Sequence, residues 1–471
     1  MKNRVYFMMV FAFCVSGYSA TITVDDDGPA DFNTIQAAIN SAMDGDIVIV
    51  EDGLYKGTGN RNMAVSKSIM LKSKNGPSQC IIDCQSAINC FAFQIKYCDP
   101  IIEGFTIIRC SEKNVSEAIS IVGSSCIIRN CIFTDNASCV YCWDTSGTYP
   151  VIINCTFYGN AAGLGGGAVG MRTNIHEAGY LTVANSIFWG NEPNDIDFDF
   201  HMCKSGPHPG MHVEFSMLQS TWQNRPSLSY ENCSYEQYPE FADPLNRDFH
   251  LKSQMGRWDV IGRRWVKDNI TSLGIDFGDE NDDFTNELWP HGRRINAGAY
   301  GNTSEASLSV VSISNPSDID IDDKVTLDDF SLFSMNWESI NTPNRNDFNR
   351  DNAVDILDLI YFSQNWLAHN IDPYIILSKS EYIVDEPISV SLNSMAGNQY
   401  DWVGICEQGA SIEPWDGVMI QWCYSDGTKT GSSGIINNVI QFDGMKAGNY
   451  EVRVFFDNQY EIKNRVLFTV K

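Results

Sequence analysis

The chain has 471 residues, 43% of them hydrophobic, and a formal net charge of −27. Length alone predicts roughly two to four domains. The acidic balance excludes nucleic acid as a partner, because phosphates demand a basic footprint, and no stretch has the composition of a disordered segment.

At the N-terminus, Lys2 and Arg4 precede an apolar run and then small residues up to Ala20. This is the pattern of a secretory signal peptide over 1–20, cleaved after Ser19 or Ala20. The run is too short for a membrane span and no later segment replaces it, so the expected location is secreted or cell-surface associated. Fifteen cysteines are present, most of them between Cys80 and Cys233. Export permits disulfides, but spacing does not give their connectivity. Cys80-x3-Cys84 and Cys139-x2-Cys142 lack the second ligand pair of a zinc site. Several cysteines recur at one repeat position, which predicts small hydrophobes stacked inside a core.

Residues 32–42, Phe-Asn-Thr-Ile-Gln-Ala-Ala-Ile-Asn-Ser-Ala, space their apolar side chains as a helix, and 44–55 follow as strand and turn. From residue 100 one pattern returns: Gly104-Phe-Thr-Ile107, Asn130-Cys-Ile-Phe133, Asn154-Cys-Thr-Phe157 and Asn185-Ser-Ile-Phe188, at spacings of 26, 24 and 31 residues. The runs 126–129, 151–154 and 181–184 supply a second strand per repeat, and Asn136, Asn160 and Asn191 close the repeats. Repeats of this length with Asn/Gly corners predict a solenoid of stacked parallel strands, in which the asparagines form a ladder of amides. An open solenoid end exposes strand edges, so the helix at 32–42 is expected to cap it.

These segments resemble right-handed parallel β-helices of the pectin-lyase-like superfamily, over about residues 21–303. Residues 289–301, Trp-Pro-His-Gly-Arg-Arg-Ile-Asn-Ala-Gly-Ala-Tyr-Gly, resemble the closing turn of bacterial secreted members. The resemblance implies polysaccharide lyase or glycoside hydrolase chemistry, which needs a basic side chain with acidic ligands, or paired carboxylates around one bond. The candidates are Arg109 and Arg129, with Arg172, Asp135 and Asp144 near them in the repeat. The Asn-Thr-Asp, Asp-Asp, Gly-His-Gly and Arg-Ile-Lys motifs of polygalacturonases are absent, so the catalytic residues stay unknown. Residues 163–170 are glycine-rich without the Lys-Ser/Thr of a phosphate loop and read as a coil corner. His201, Cys203, His208 and His212 read as a surface loop. Trp258, Trp265 and Trp289 suit either sugar stacking or packing on the last coil.

A Ser-rich linker is expected over 304–317. Beyond it, two acidic loops place oxygen side chains at positions 1, 3, 5, 9 and 12: Asp318, Asp320, Asp322, Thr326 and Asp329, then Asp347, Asn349, Asp351, Asp355 and Asp358. A hard cation such as Ca2+ takes six to eight oxygens from one tight loop, and this spacing supplies them. Each loop runs into an amphipathic segment ending in Asn-Trp, at Trp337 and Trp366. The pair resembles a type I dockerin over residues 318–370, implying two Ca2+ sites and docking to a cohesin-like or other surface protein. Position 6 departs from the expected Gly, with Asp323 and Asn352; Asn tolerates a left-handed backbone better than Asp. Positions 10 and 11, which set partner choice in dockerins, are Leu327-Asp328 and Ile356-Leu357, so the two loops are not interchangeable. Alternating strands over 374–471 resemble an Ig-like β-sandwich, with Cys406 and Cys423 as a pair able to bridge adjacent strands.

The fold expectation is thus mainly β: a right-handed parallel β-helix, a small helical paired-loop module, then an Ig-like β-sandwich. Three readings of function remain open. They are a polysaccharide-binding or polysaccharide-degrading system component with a docking unit, a non-enzymatic surface or matrix rod, and a lyase or hydrolase with an unfamiliar site.

Overall fold

The computed structural model describes residues 19–110, 117–143, 147–161, 168–173, 179–200, 210–219, 228–310, 315–322, 324–340, 343–366, 374–393, 395, 399–410, 419–431, 435, 438–456 and 462–471. Asp144, the glycine-rich stretch at 162–167, His201, Cys203, His208, Asp323 and nearly all of the signal-peptide segment lie outside the described residues, as does the Arg172 side chain. The chain divides after Val310 into two compact units.

The first unit is a parallel β-helix. Its coils lay strands into a nine-stranded sheet from Thr21–Val24 to Leu228–Glu231, an eight-stranded sheet from Gly53–Lys56 to Ser234–Tyr235, and a six-stranded sheet from Met63–Val65 to Ile196–Phe200. Every pairing within them is parallel, with Ile128 over Ile102 and under Ile152, and Phe133 over Ile107 and under Phe157. Crossovers between parallel strands are right-handed in nearly all proteins, which makes a right-handed coil the expected hand here. Among the described residues six coils therefore carry three strands each, one more than the repeat pattern displays. Inward side chains stack into ladders: Phe133, Phe157 and Phe188 are each 0% exposed, with ring centroids 4.8 and 4.6 Å apart.

Two asparagine rails hold the corners. Asn130, Asn154 and Asn185 take left-handed φ values of 52°, 50° and 47° at the corner between the nine- and eight-stranded sheets, where Gly104 stands at 79° one coil earlier. Asn tolerates this region and Gly favours it. The second rail is buried at the next corner. Asn160 donates to Phe133 O and Asn191 Oδ1, both at 2.9 Å, and its own Oδ1 accepts the Asn136 backbone N–H at 3.1 Å. These are the amide contacts expected from the repeat, and they satisfy corner backbone groups that no strand pairs.

Helix α1, Ile35–Ser41, buries Ile35, Ala38 and Ile39 over the first coil. Gln36 pairs with both backbone groups of Ala64, at 2.7 and 3.2 Å. It thereby closes the edge strand of the six-stranded sheet, the hazard an open solenoid must cover.

Residues 240–310 turn back along the outside of the eight-stranded sheet. Phe241, Phe249, Leu251, Ala297 and Ala299 pack on the outward Ile132, Ile187 and Met217. The first asparagine rail is their dock: Asn130 donates to Ala299 O and Gly301 O, and Asn154 to Asn296 O. Only Gly fits at 301, because a Cβ there would lie 2.1 Å from Asn296 O and 2.2 Å from Asn154 Nδ2. Trp258 is buried against Trp265, which is packing rather than a sugar platform. The linker expectation is corrected at its start: Ser307 and Leu308 are buried, and Leu308 N donates to Gly256 O at 2.8 Å. Residues 304–310 belong to the first unit.

In this segment His250, 0% exposed, lies between Asp248 (2.7 Å) and Glu305 (3.2 Å) and stacks on Tyr300. Burial alone would push the imidazolium down, but the two carboxylates raise its pKa from 6.5 to about 9. A raised histidine stabilises fully below its unfolded pKa and loses that contribution as pH climbs through the folded value. Melting of the first unit is expected to fall on the order of several degrees from pH 6.5 to 9.5, and His250→Gln should flatten that slope. Circular dichroism melts across pH check it; an identical slope in the variant refutes the pairing as its source.

In the second unit, Tyr374–Leu377, Ile388–Asn393 and Asn438–Phe442 form one antiparallel sheet. Five strands form another, in the order Glu381–Tyr382, Asn464–Val470, Gly448–Phe455, Trp402–Glu407, Gln421–Tyr424. Val390, Val403, Ile405, Val452 and Val454 fill the core between them. Cys423 lies opposite Val403 in this core, whereas Cys406 sits three residues along on the other face, beside Glu451. The two cysteines do not bridge. Among the described residues no helix is long and apolar enough to cross a membrane.

Candidate functional site

The paired acidic loops sit in the second unit, each leading into a nine-residue helix: α2, Leu327–Met335, and α3, Ile356–Gln364. Both helices start with a capping box, Thr326 with Asp329 and Asp355 with Asp358. The position-12 carboxylates fold each loop onto its helix in the same way. Asp329 accepts the backbone N–H groups of Ile319 (2.6 Å), Asp320 (3.2 Å) and Thr326 (2.7 Å). Asp358 accepts those of Phe348 (2.7 Å), Asn349 (3.3 Å) and Asp355 (3.0 Å). Asp318 and Asp347 likewise accept from Asp322 and Asp351 across the loop, at 3.0 and 3.2 Å.

The loops turn through left-handed residues at position 4, Ile321 and Arg350, each at φ 62°, and at position 6 of the second loop, Asn352 at 71°. A β-branched Ile at positive φ is an outlier held by its surroundings. The turn gathers carboxylate oxygens of Asp318, Asp320 and Asp322 within 4.8 Å of one another. Asp329 and Asp358 are 0% exposed, and among the described residues no basic side chain forms an ion pair with either. Burial pushes the Asp347 carboxyl up to about 6, helped by the charges of Asp358 and Asp351 against the pull of Asn352 N–H and Arg350. Burial also raises Asp320 and Asp358. Crowded oxygens of one sign, with the position-1 and position-12 carboxylates buried, are the donor set of a hard divalent cation, and the residues present fit Ca2+.

Between the loops, Phe333 and Phe362 pack on Ile319, Val325, Phe348 and Val354. Asn346 Nδ2 donates to Leu332 O and Phe333 O at the end of α2, and Asn315 reaches Asn365 at the end of α3. Leu327, Ile356 and Leu357 stay 70%, 56% and 53% exposed.

On the β-helix, the two arginine candidates are not brought together. Arg129 ends a strand of the nine-stranded sheet and pairs with Glu103; Arg109 follows a strand of the eight-stranded sheet and forks onto the buried Asp83. Their places in the coil are therefore not equivalent. Asp135 is held by Arg247 at 2.9 Å.

Sequence reading missed the outward face of the six-stranded sheet. Gln94, Ser120, Tyr141, Gly170 and Asp197 share one row across five coils, with Lys96, Val122 and Trp143 in the next. The Tyr141 ring lies over Gly170, where a Cβ would sit 2.4 Å from it. It stands 4.6 Å from the ring of Trp143, which is 38% exposed and donates to Glu117 at 2.7 Å. Tyr97, 75% exposed, lies against Gly123 beyond the same row. The signal was Tyr141-Cys-Trp143, aromatics two apart on one strand face, hidden by the attention its cysteines draw.

No protein-family model matches the chain, and no curated protein matches it. Among solved structures, a crystal structure of pectate lyase Pel9A aligns over 60% of this chain and 97% of that one, with 12% identity and a TM-score of 0.27. The parallel β-helix itself rests on the strand pairing described above.

Proposed function

We propose that the chain is an exported component of a polysaccharide-binding or polysaccharide-degrading system, with a glycan-facing β-helix and a Ca2+-dependent dockerin-like unit. The observation that carries this is the repeated loop geometry. Two loops 29 residues apart fold their position-12 carboxylates onto matching backbone donors, and the first gathers the carboxylates of Asp318, Asp320 and Asp322. Ca2+ bound there would fix α2 and α3, presenting Leu327, Ile356 and Leu357 to a cohesin-like or other surface protein. The β-sandwich, Ig-like in its two-sheet build, would serve as a spacer or binding module.

The glycan surface we assign to the β-helix is the face of the exposed Tyr97 and Trp143, with the buried Tyr141 packed against Trp143, because the C–H-rich faces of sugars pack on aromatic rings. Arg109 and Arg129, both tied to carboxylates, favour binding over catalysis. A panel of neutral and acidic oligosaccharides titrated against tryptophan fluorescence tests this. At least one should bind, and Trp143→Ala should weaken it about tenfold, close to 1.4 kcal/mol. No binding across the panel, or unchanged affinity in the variant, would remove the glycan surface. Release of unsaturated or reducing ends from pectate, alginate or sulfated glycans would restore the enzyme reading.

A further inference from the structure

We propose that Cys84 and Cys110 form a disulfide that clamps two successive coils at the corner between the eight- and six-stranded sheets. The buried asparagine rail runs upward from Asn191 through Asn160 to Asn136, and Asn136 Oδ1 still accepts the Cys110 backbone N–H at 3.0 Å. There the rail stops. Cys110 stands where the next amide rung would, and its Sγ lies 2.7 Å from Cys84 Sγ in the coil before. Non-bonded heavy atoms rest roughly 3.5–4 Å apart, whereas a disulfide closes at about 2.05 Å. Stacked parallel strands lie about 4.8 Å apart, within the Cα separation that disulfides span.

Cys131 and Cys155 also meet side chain to side chain, but each has a closer backbone acceptor than Cys110, whose Sγ lies 3.9 Å from Ile108 O. Cys131 Sγ donates to Arg129 O at 3.2 Å, and Cys155 Sγ to Ile153 O at 3.4 Å. Cys84 and Cys110 are both 0% exposed, so the bond must form while the coils are still stacking. The step is an exchange: two thiols and an external disulfide oxidant give the Cys84–Cys110 bond and two thiols of the spent oxidant. Cys90, also in contact with Cys84, is the competing partner. In vivo the bond rests on the export reading, since reducing compartments would keep both thiols free.

The test refolds the full chain from denaturant in a mixture of reduced and oxidised glutathione, alkylates remaining thiols, and maps peptides without reductant. The Cys84 and Cys110 peptides should appear joined and lighter by two hydrogens, with Cys131 and Cys155 alkylated. Reductant should lower the melting temperature of this product by several degrees, and Cys110→Ala should abolish that reductant sensitivity while Cys139→Ala keeps it. Alkylation of both residues, or a Cys84–Cys90 link, overturns the proposal. Because refolding happens outside any cell, the outcome is independent of export, which N-terminal sequencing of the secreted product tests alone.

Discussion

Chelating Ca2+ will unfold the 318–366 segment while the β-helix stays folded. Each loop places four carboxylates at its ligand positions, and Asp329 and Asp358 are wholly buried. Without a cation their repulsion opposes the turn. The helices cannot resist, since nine-residue helices are marginal alone and depend on tertiary packing. That packing is made largely by the loops themselves: Ile319, Val325, Phe348 and Val354 occupy loop positions 2 and 8 and surround Phe333 and Phe362. Opening a loop therefore dismantles the hydrophobic cluster. At free Ca2+ a thousandfold above Kd, each site stabilises by about 4 kcal/mol. Two sites together approach the whole stability of a small domain, about 5–15 kcal/mol. EDTA should shift the fluorescence of Trp337 and Trp366, both partly exposed at 41% and 40%, and abolish one melting transition. Calorimetry should count two ions, falling to one in Asp358→Ala. A melting curve indifferent to EDTA would sink the calcium assignment.

How much of this was legible beforehand depended on the range of the interactions. The Asn-x-x-Phe register exposed two strands per coil because Asn130, Asn154 and Asn185 answer a local requirement, a left-handed corner, which sequence records directly. The third strand escaped because loops of unequal length separate it from that register, so Phe93–Lys96, Glu117–Val122 and Ser138–Trp143 share no motif. Two later coils escaped as well. Phe215, at φ 45°, takes the corner otherwise given to Asn, and Asn232 restores it before Ser234–Tyr235. Residues 240–310 were opaque for a different reason. Their partners lie far back in the chain, as with Asn130 and Gly301, and no local periodicity encodes a contact across 171 residues. In the acidic loops the repeated carboxylate spacing and the left-handed Asn352 were readable, because each is a matter of spacing or of one residue's backbone tolerance. The strained Ile321 was not: nothing in its type predicts positive φ, and only the closure of the loop around it does.

The ladder inside the coil yields the second large effect, a loss of about 3–5 kcal/mol for Phe157→Ala, the usual cost of emptying a buried aromatic site. Phe157 is the middle ring of three in register, nearly parallel to Phe133 (4°) and Phe188 (7°). Its removal strips one face from each neighbour, and the site collapses poorly because the strands above and below are pinned by hydrogen bonds in fixed register. Phe188→Ala should cost less, since beyond Phe188 the ladder continues into the adaptable Leu218. Phe157→Leu, which keeps most of the volume, should lose less than Phe157→Ala. In a solenoid each coil touches only its neighbours, so one weak interface also loosens the coupling between the coils on either side. Urea unfolding of Phe157→Ala should therefore show a lower midpoint and a shallower transition, the mark of lost two-state behaviour. A midpoint shift equal to that of Phe188→Ala, with an unchanged slope, would mean that the rings act as independent hydrophobes rather than as a stacked column.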